Sequence, residues 1–130
     1  MPIYIDSSAL TKLVVTEAES RRLSQWIRDS VSDLVSSELA RAELLRAVRR
    51  FAPQSVLKAR WVLTSVTFVD ISGSIIEAAW RLDPPALRTL DAIHLATALE
   101  LESDLEGIVT YDARLTNAAL LHAVQVIAPA

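Results

Sequence analysis

Four acids sit at positions that solubility alone does not explain. Asp6 ends the apolar run Pro2-Ile3-Tyr4-Ile5, and Asp112 follows Gly107-Ile108-Val109-Thr110-Tyr111. Glu43 has Leu39 at i−4 and Ala47 at i+4, so its carboxylate leaves a helix beside packing residues. Asp91 opens a helical pattern in which Ala92, Ile93, Leu95, Ala96 and Ala98 mark a buried surface, where an unsatisfied acid is costly. Each has an ordinary reading. Asp6 caps the following helix, Asp91 answers the helix dipole, Asp112 is a turn residue, and Glu43 pairs with Arg46 or Arg50. The set is less ordinary than its members, because two strand ends and two helices supply acids to one crevice. Two carboxylates ~5 Å apart repel by about 3 kcal/mol at an effective dielectric near 20. Four therefore share a site as anions only around a compensating cation. Oxygen ligands without cysteine select a hard ion, Mg2+ or Mn2+, with waters completing its shell. Ser7, Ser8 and Thr110 stand close enough in sequence to Asp6 and Asp112 to hydrogen-bond a carboxylate or an ion-bound water.

The remaining chemistry is limited. There is no cysteine, which excludes disulfides and thiolate chemistry, and there are two histidines. His94, three residues after Asp91, invites a Ser-His-Asp reading, but no Gly-x-Ser-x-Gly elbow exists and the chain has only 2 glycines. His94 is expected to border the site with a hydrogen-bond partner, and His122 to lie at the surface or in packing. Trp26, Trp61 and Trp80 fall in helical patterns and read as core or dimer interface rather than base-stacking platforms.

These groups must be positioned by alternating short strands and longer helices. Strands are expected over 2–6, 33–36, 65–69, 107–110 and 124–127, with helices over 7–16, 17–30, 38–50, 54–63, about 72–82, 90–101 and 113–122. Ser37 and Thr89 read as helix N-caps, and Pro53 and Asp83-Pro84-Pro85 as interruptions. With no hairpin signal the strands pair in parallel through right-handed crossovers, giving an α/β three-layer sandwich. Ligands of such sheets collect beyond the carboxyl ends of the strands, where Asp6 and Asp112 fall. The 130 residues, 52% of them hydrophobic, suit one domain spanning 1–130, without linker or repeat. No apolar run is long enough for a membrane span and no signal peptide opens the chain, so a cytoplasmic protein is expected. The net charge of −3 argues against a simple polyphosphate binder. Six bases (Arg41, Arg46, Arg49, Arg50, Lys58 and Arg60) nevertheless lie close together, either as solvated helix faces or as a local basic stripe.

The runs IDSSALTKLVV, SELARAELLRA, LRTLDAIHLATA and VTYDARL, in this order and spacing, closely resemble PIN-domain ribonucleases, in particular VapC-type toxins of bacterial toxin–antitoxin modules. The resemblance spans nearly the whole chain. It implies a five-stranded parallel sheet, Mg2+-dependent RNA cleavage, homodimers and neutralisation by a cognate VapB-like antitoxin. The family's metal-binding catalytic acids fall on Asp6, Glu43, Asp91 and Asp112. Activated water would attack the phosphodiester, leaving a 5′-phosphate and a 3′-hydroxyl. Two features depart from the pattern. Leu121-His122-Ala123 replaces a glycine-containing turn before the last strand, and a further site acid is unassigned, with Asp70 as candidate against a plain turn residue.

Three rivals remain. An aspartyl-phosphate phosphatase needs a second acid where Ser8 stands. A phosphoreceiver-like module needs paired acids at the first strand, an acceptor for which only Asp70 is available, and a late lysine, whereas Lys12 and Lys58 lie elsewhere. A binding module with an inactive site is separated from the enzyme by EDTA-sensitive ribonuclease activity.

Overall fold

A computed structural model describes residues 1–30 and 32–130. Among them, five strands form one sheet in the order β3-β2-β1-β4-β5: β1 is Ile3–Ile5, β2 Leu34–Ser37, β3 Thr67–Val69, β4 Gly107–Val109 and β5 Val126–Ile127. Every pairing is parallel, with Ile5 opposite Val109 on the central β1–β4 pair. The α-helices are α1 (Ser7–Val14), α2 (Ser20–Asp29), α3 (Glu38–Phe51), α4 (Val56–Leu63), α5 (Gly73–Trp80), α6 (Thr89–Leu99) and α7 (Ala113–Leu121).

Successive strand residues face opposite sides, so one strand feeds two cores. Ile3 and Ile5 join Leu10, Leu23, Leu44 and Val109 on the face covered by α1 to α4. Tyr4 points the other way, into Leu95, Ile108, Leu115 and Ala119 under α6 and α7. All three residues of β1 are fully buried, as a strand covered on both faces requires. The α/β three-layer sandwich with a five-stranded parallel sheet stands as expected from the sequence.

The local differences have local causes. The expected cap at Thr89 is displaced: Thr89 is the first helical residue and Arg88 occupies the N-cap position without a side-chain cap bond. The helix expected to reach Leu101 ends at Leu99, and a 3-10 turn follows over Glu102–Asp104. Ser37 does cap α3, its hydroxyl accepting from the Leu39 N–H. At Gly107 a Cβ would meet the Ile127 side chain at 2.8 Å and the Gln125 carbonyl at 3.0 Å, so β4 and β5 approach as closely as they do because no side chain intervenes.

The turn before β5 explains itself at the backbone. α7 ends in a Schellman motif: the Val124 N–H reaches the Ala119 carbonyl (2.9 Å) and the Ala123 N–H reaches that of Leu120 (3.1 Å). Ala123 adopts φ 58°, the left-handed conformation that glycine ordinarily supplies. The departure noted at Leu121-His122-Ala123 is thus an alanine held in a glycine conformation, with the turn itself intact. His122 is half-buried there, its ring bonded to the Asp83 carbonyl at 2.8 Å.

Candidate active site

β1 lies at the centre of the sheet, and the chain leaves it first toward β2 and later toward β4, so the crevice at its carboxyl end is a topological switch point. Asp6 follows β1 directly and caps α1 in extended backbone, φ −91° and ψ 176°. It is 3% exposed, and both carboxylate oxygens accept hydrogen bonds. One oxygen accepts from the Ala9 N–H (3.0 Å) and the Ser8 hydroxyl (2.7 Å); the other accepts from the Thr110 hydroxyl (2.5 Å). Burial pushes the Asp6 carboxyl above its ordinary pKa, and these three bonds, Thr110 foremost, oppose the shift.

The two hydroxyls do more than hold Asp6. Ser8 Oγ accepts the Tyr111 N–H at 3.0 Å, and Thr110 Oγ1 accepts the Asp112 N–H at 3.0 Å. Each links the start of α1 to the loop beyond β4, so Asp6 and Asp112 are positioned by one network. Asp112 caps α7, accepting from the Leu115 N–H at 2.9 Å. The ordinary capping reading of Asp6 is therefore correct as geometry, and Asp112, expected as a turn residue, is a cap as well. Capping fixes where both carboxylates stand and leaves open what else they bind.

Asp91 lies in the first turn of α6, partly buried. Burial and then the Asp112 carboxylate, with a smaller contribution from Glu43, raise its pKa; His94 and Arg114 act in the opposite sense. Asp91 is thus close enough to both Asp112 and Glu43 to be repelled by them.

Glu43 has a partner that its own helix does not supply. Arg46 and Arg50, the expected ion-pair partners, are exposed, whereas Glu43 Oε1 meets His94 Nε2 at 2.6 Å. The other ring nitrogen, Nδ1, meets the Tyr4 hydroxyl at 2.5 Å, and that hydroxyl also accepts the Ser37 N–H at 3.2 Å. Burial holds the Tyr4 hydroxyl protonated far above the usual tyrosine range. It accepts from Ser37, and when His94 is neutral with its hydrogen on Nε2, Tyr4 donates to Nδ1 and Nε2 donates to Glu43. Sequence reading expected a partner for His94 and missed Tyr4, although a tyrosine inside an apolar central strand must find one for its hydroxyl.

Other candidates lie apart. Asp70 follows β3 at the sheet edge, exposed, in a turn where its carbonyl accepts the Ser72 N–H, so the turn reading holds. Trp26 packs partly against the core, but Trp61 and Trp80 are 70% and 68% exposed, which removes the core reading for both. Arg41 pairs with Glu38 at 2.9 Å and stacks on Phe68.

Among the described residues no group of three or more His, Asp or Glu side chains is placed to hold a metal ion. Asp6, Asp112 and Glu43 each turn an oxygen to a neighbouring donor. The donor chemistry still fits a hard divalent ion, since all four groups offer oxygen and no salt bridge among the described residues engages Asp6, Asp91 or Asp112.

A family model, the PIN domain, matches residues 3–121. Ribonuclease VapC46 of Mycobacterium tuberculosis is 42% identical over 127 residues, covering 98% of this chain and 97% of its own, and Ribonuclease VapC47 of the same species is 39% identical over 119 residues, covering 88% of each. The chain belongs to the PIN-domain family. Solved PIN structures share its fold at lower identity. VapC20 of M. tuberculosis, described as a sarcin-ricin loop cleaving toxin, superimposes with a TM-score of 0.75 at 17% identity over 89% of this chain and 94% of its own. VapBC2 of Rickettsia felis, solved on a promoter DNA fragment, gives 0.74 at 12% identity over the full length of both chains.

Proposed function

We propose that this PIN domain is a divalent-metal-dependent endoribonuclease, the toxin of a VapBC-type pair, acting in the cytoplasm and held inactive by a cognate antitoxin. Relatives named as VapC ribonucleases at about 40% identity over nearly the whole chain support the activity. Fold relatives solved as toxin–antitoxin complexes support the partner. No helix among the described residues is long and apolar enough to cross a membrane. A homodimer is part of the same reading, and the exposed Phe51, Trp61 and Trp80 are aromatic surfaces available for contacts between chains.

The observation that carries the proposal is Asp6, a carboxylate buried to 3% exposure and raised in pKa by that burial, fixed by three donors from α1 and β4. Asp6, Asp91 and Asp112 would hold Mg2+ or Mn2+, and Glu43 would complete the set. When bound, such an ion polarises a phosphoryl oxygen and makes water a competent nucleophile near neutral pH. The chain's own part is positional. Ser8 and Thr110 lock Asp6 and the backbone leading to Asp112, while Tyr4 and His94 orient Glu43.

Incubation of the purified protein with RNA in Mg2+ tests the reading: cleavage stops in EDTA, and products carry 5′-phosphate and 3′-hydroxyl ends. Cyclic phosphates would show attack by the ribose hydroxyl instead. The phosphoreceiver reading is not favoured, since Asp70 is remote from β1, and Lys12 is committed to Glu17 (3.0 Å) and Glu19 (2.8 Å).

A further inference from the structure

Next to the acids lies a recess of ≈ 300 Å³ that the reaction as described does not use. Leu87, Ala118 and Leu121 make its apolar side, and Arg88, Arg114 and Asn117 bring polar groups to it. Chain geometry ties it to the site. Arg88 is the N-cap residue of α6, three positions before Asp91, and Arg114 is the second residue of α7, two positions after Asp112. The Arg114 guanidinium also acts electrostatically on Asp91. Both arginines are exposed, and among the described residues neither forms a salt bridge. On a chain of net charge −3, two arginines thus stay unpaired within a few residues of two site acids. Arginines tied into the acid site as structural counter-ions would be paired with it.

We propose that this recess seats one nucleotide of single-stranded RNA next to the bond being cut. Arg88 and Arg114 hold its phosphate oxygens, the apolar side covers the base or ribose, and Asn117 offers a donor and an acceptor to a base edge. The assignment rests on the ribonuclease reading and extends it to a substrate subsite. Guanidinium forks match phosphate oxygens in bidentate geometry and lose less hydration than ammonium groups. The volume lies at the small end of the ~300–1,000 Å³ of ligand sites, which suits one splayed-out nucleotide and not a helical stem. The position beside Asp91 and Asp112 gives the recess a second role, as the contact that sets where along a strand the cut falls.

The test uses the full chain and a synthetic oligoribonucleotide spanning a cut site mapped by sequencing RNA 5′-ends. Arg88→Gln and Arg114→Gln are compared with wild type, and with Arg22→Gln on α2, outside the recess, as a control for general charge loss. Each recess variant is expected to raise KM by about tenfold, the loss of one charge-assisted bond. The slope of log(1/KM) against log[salt] should become shallower by about 0.7 per arginine, as for one lost phosphate contact on a single strand. Arg22→Gln should do neither. Altered cut positions in Asn117→Ala would add support.

If wild type cuts the RNA and both arginine variants keep its KM and salt slope, the subsite is wrong while the ribonuclease reading stands. If the variants lose binding to the antitoxin and keep their KM for RNA, the recess belongs to a protein partner and the proposal is overturned. If wild type cuts no RNA in Mg2+, the ribonuclease reading fails and the subsite with it.

Discussion

Tyr4→Phe isolates the hydroxyl that ties the central strand to His94, because phenylalanine keeps the ring that meets the His94 ring edge-on, with centroids 5.8 Å apart. Tyr4 is fully buried, and its hydroxyl serves two partners, the Ser37 N–H at 3.2 Å and His94 Nδ1 at 2.5 Å. Removal leaves one donor and one acceptor without partners in a dry interior, at about 1–3 kcal/mol each, so a loss of roughly 2–6 kcal/mol is expected. That is a large share of the ~5–15 kcal/mol of a typical domain, though not all of it. In urea the midpoint should fall with the slope unchanged, and the melting temperature should drop by roughly 10–15 °C. His94 then loses the bond that fixes its tautomer, and Glu43 loses a fixed donor, so metal affinity should weaken as well. A midpoint shift worth less than about 0.5 kcal/mol would refute the bonding scheme.

Two further outcomes follow from single positions. Asp6 has a folded pKa above its ordinary value, so the stability it contributes is fully present below the unfolded pKa and is lost as pH rises through the folded one. Metal-free Asp6→Asn should therefore melt higher than wild type at neutral pH and lose that advantage in acid; a less stable variant at neutral pH would contradict the burial argument. Ala123→Gly replaces an alanine at φ 58°. It relieves about 1–2 kcal/mol of left-handed strain against about 0.4–1 kcal/mol of added chain entropy, so thermal melts should rise by roughly 2–4 °C, and a fall would count against the Schellman assignment.

Much of this architecture is legible because local rules and global fold agree. The three consecutive apolar residues of β1 announce a strand covered on both faces, and Asp6 and Ser37 mark helix starts by their side-chain chemistry. What sequence reading missed depends on long-range packing. The partner of Glu43 is His94, 51 residues away, whereas spacing along one helix offers only Arg46 or Arg50. Tyr4 reads as one more apolar strand residue until β1, β2 and α6 are brought together around its hydroxyl. Trp61 and Trp80 follow helical spacing, but the solvent-facing side of a helix has a period too, and periodicity alone does not say which side is covered.

The central claim is that Asp6, Glu43, Asp91 and Asp112 bind one kind of ligand, a hard divalent cation. Titration of the purified protein with Mn2+, followed by electron paramagnetic resonance of the free ion, tests this without reference to any RNA. Saturable binding by wild type, weakened at least about tenfold in Asp6→Asn and in Asp112→Asn, is the predicted result, as expected when a ligand charge is removed. Wild type that binds no Mn2+, or Asn variants that bind it as tightly as wild type, would contradict it.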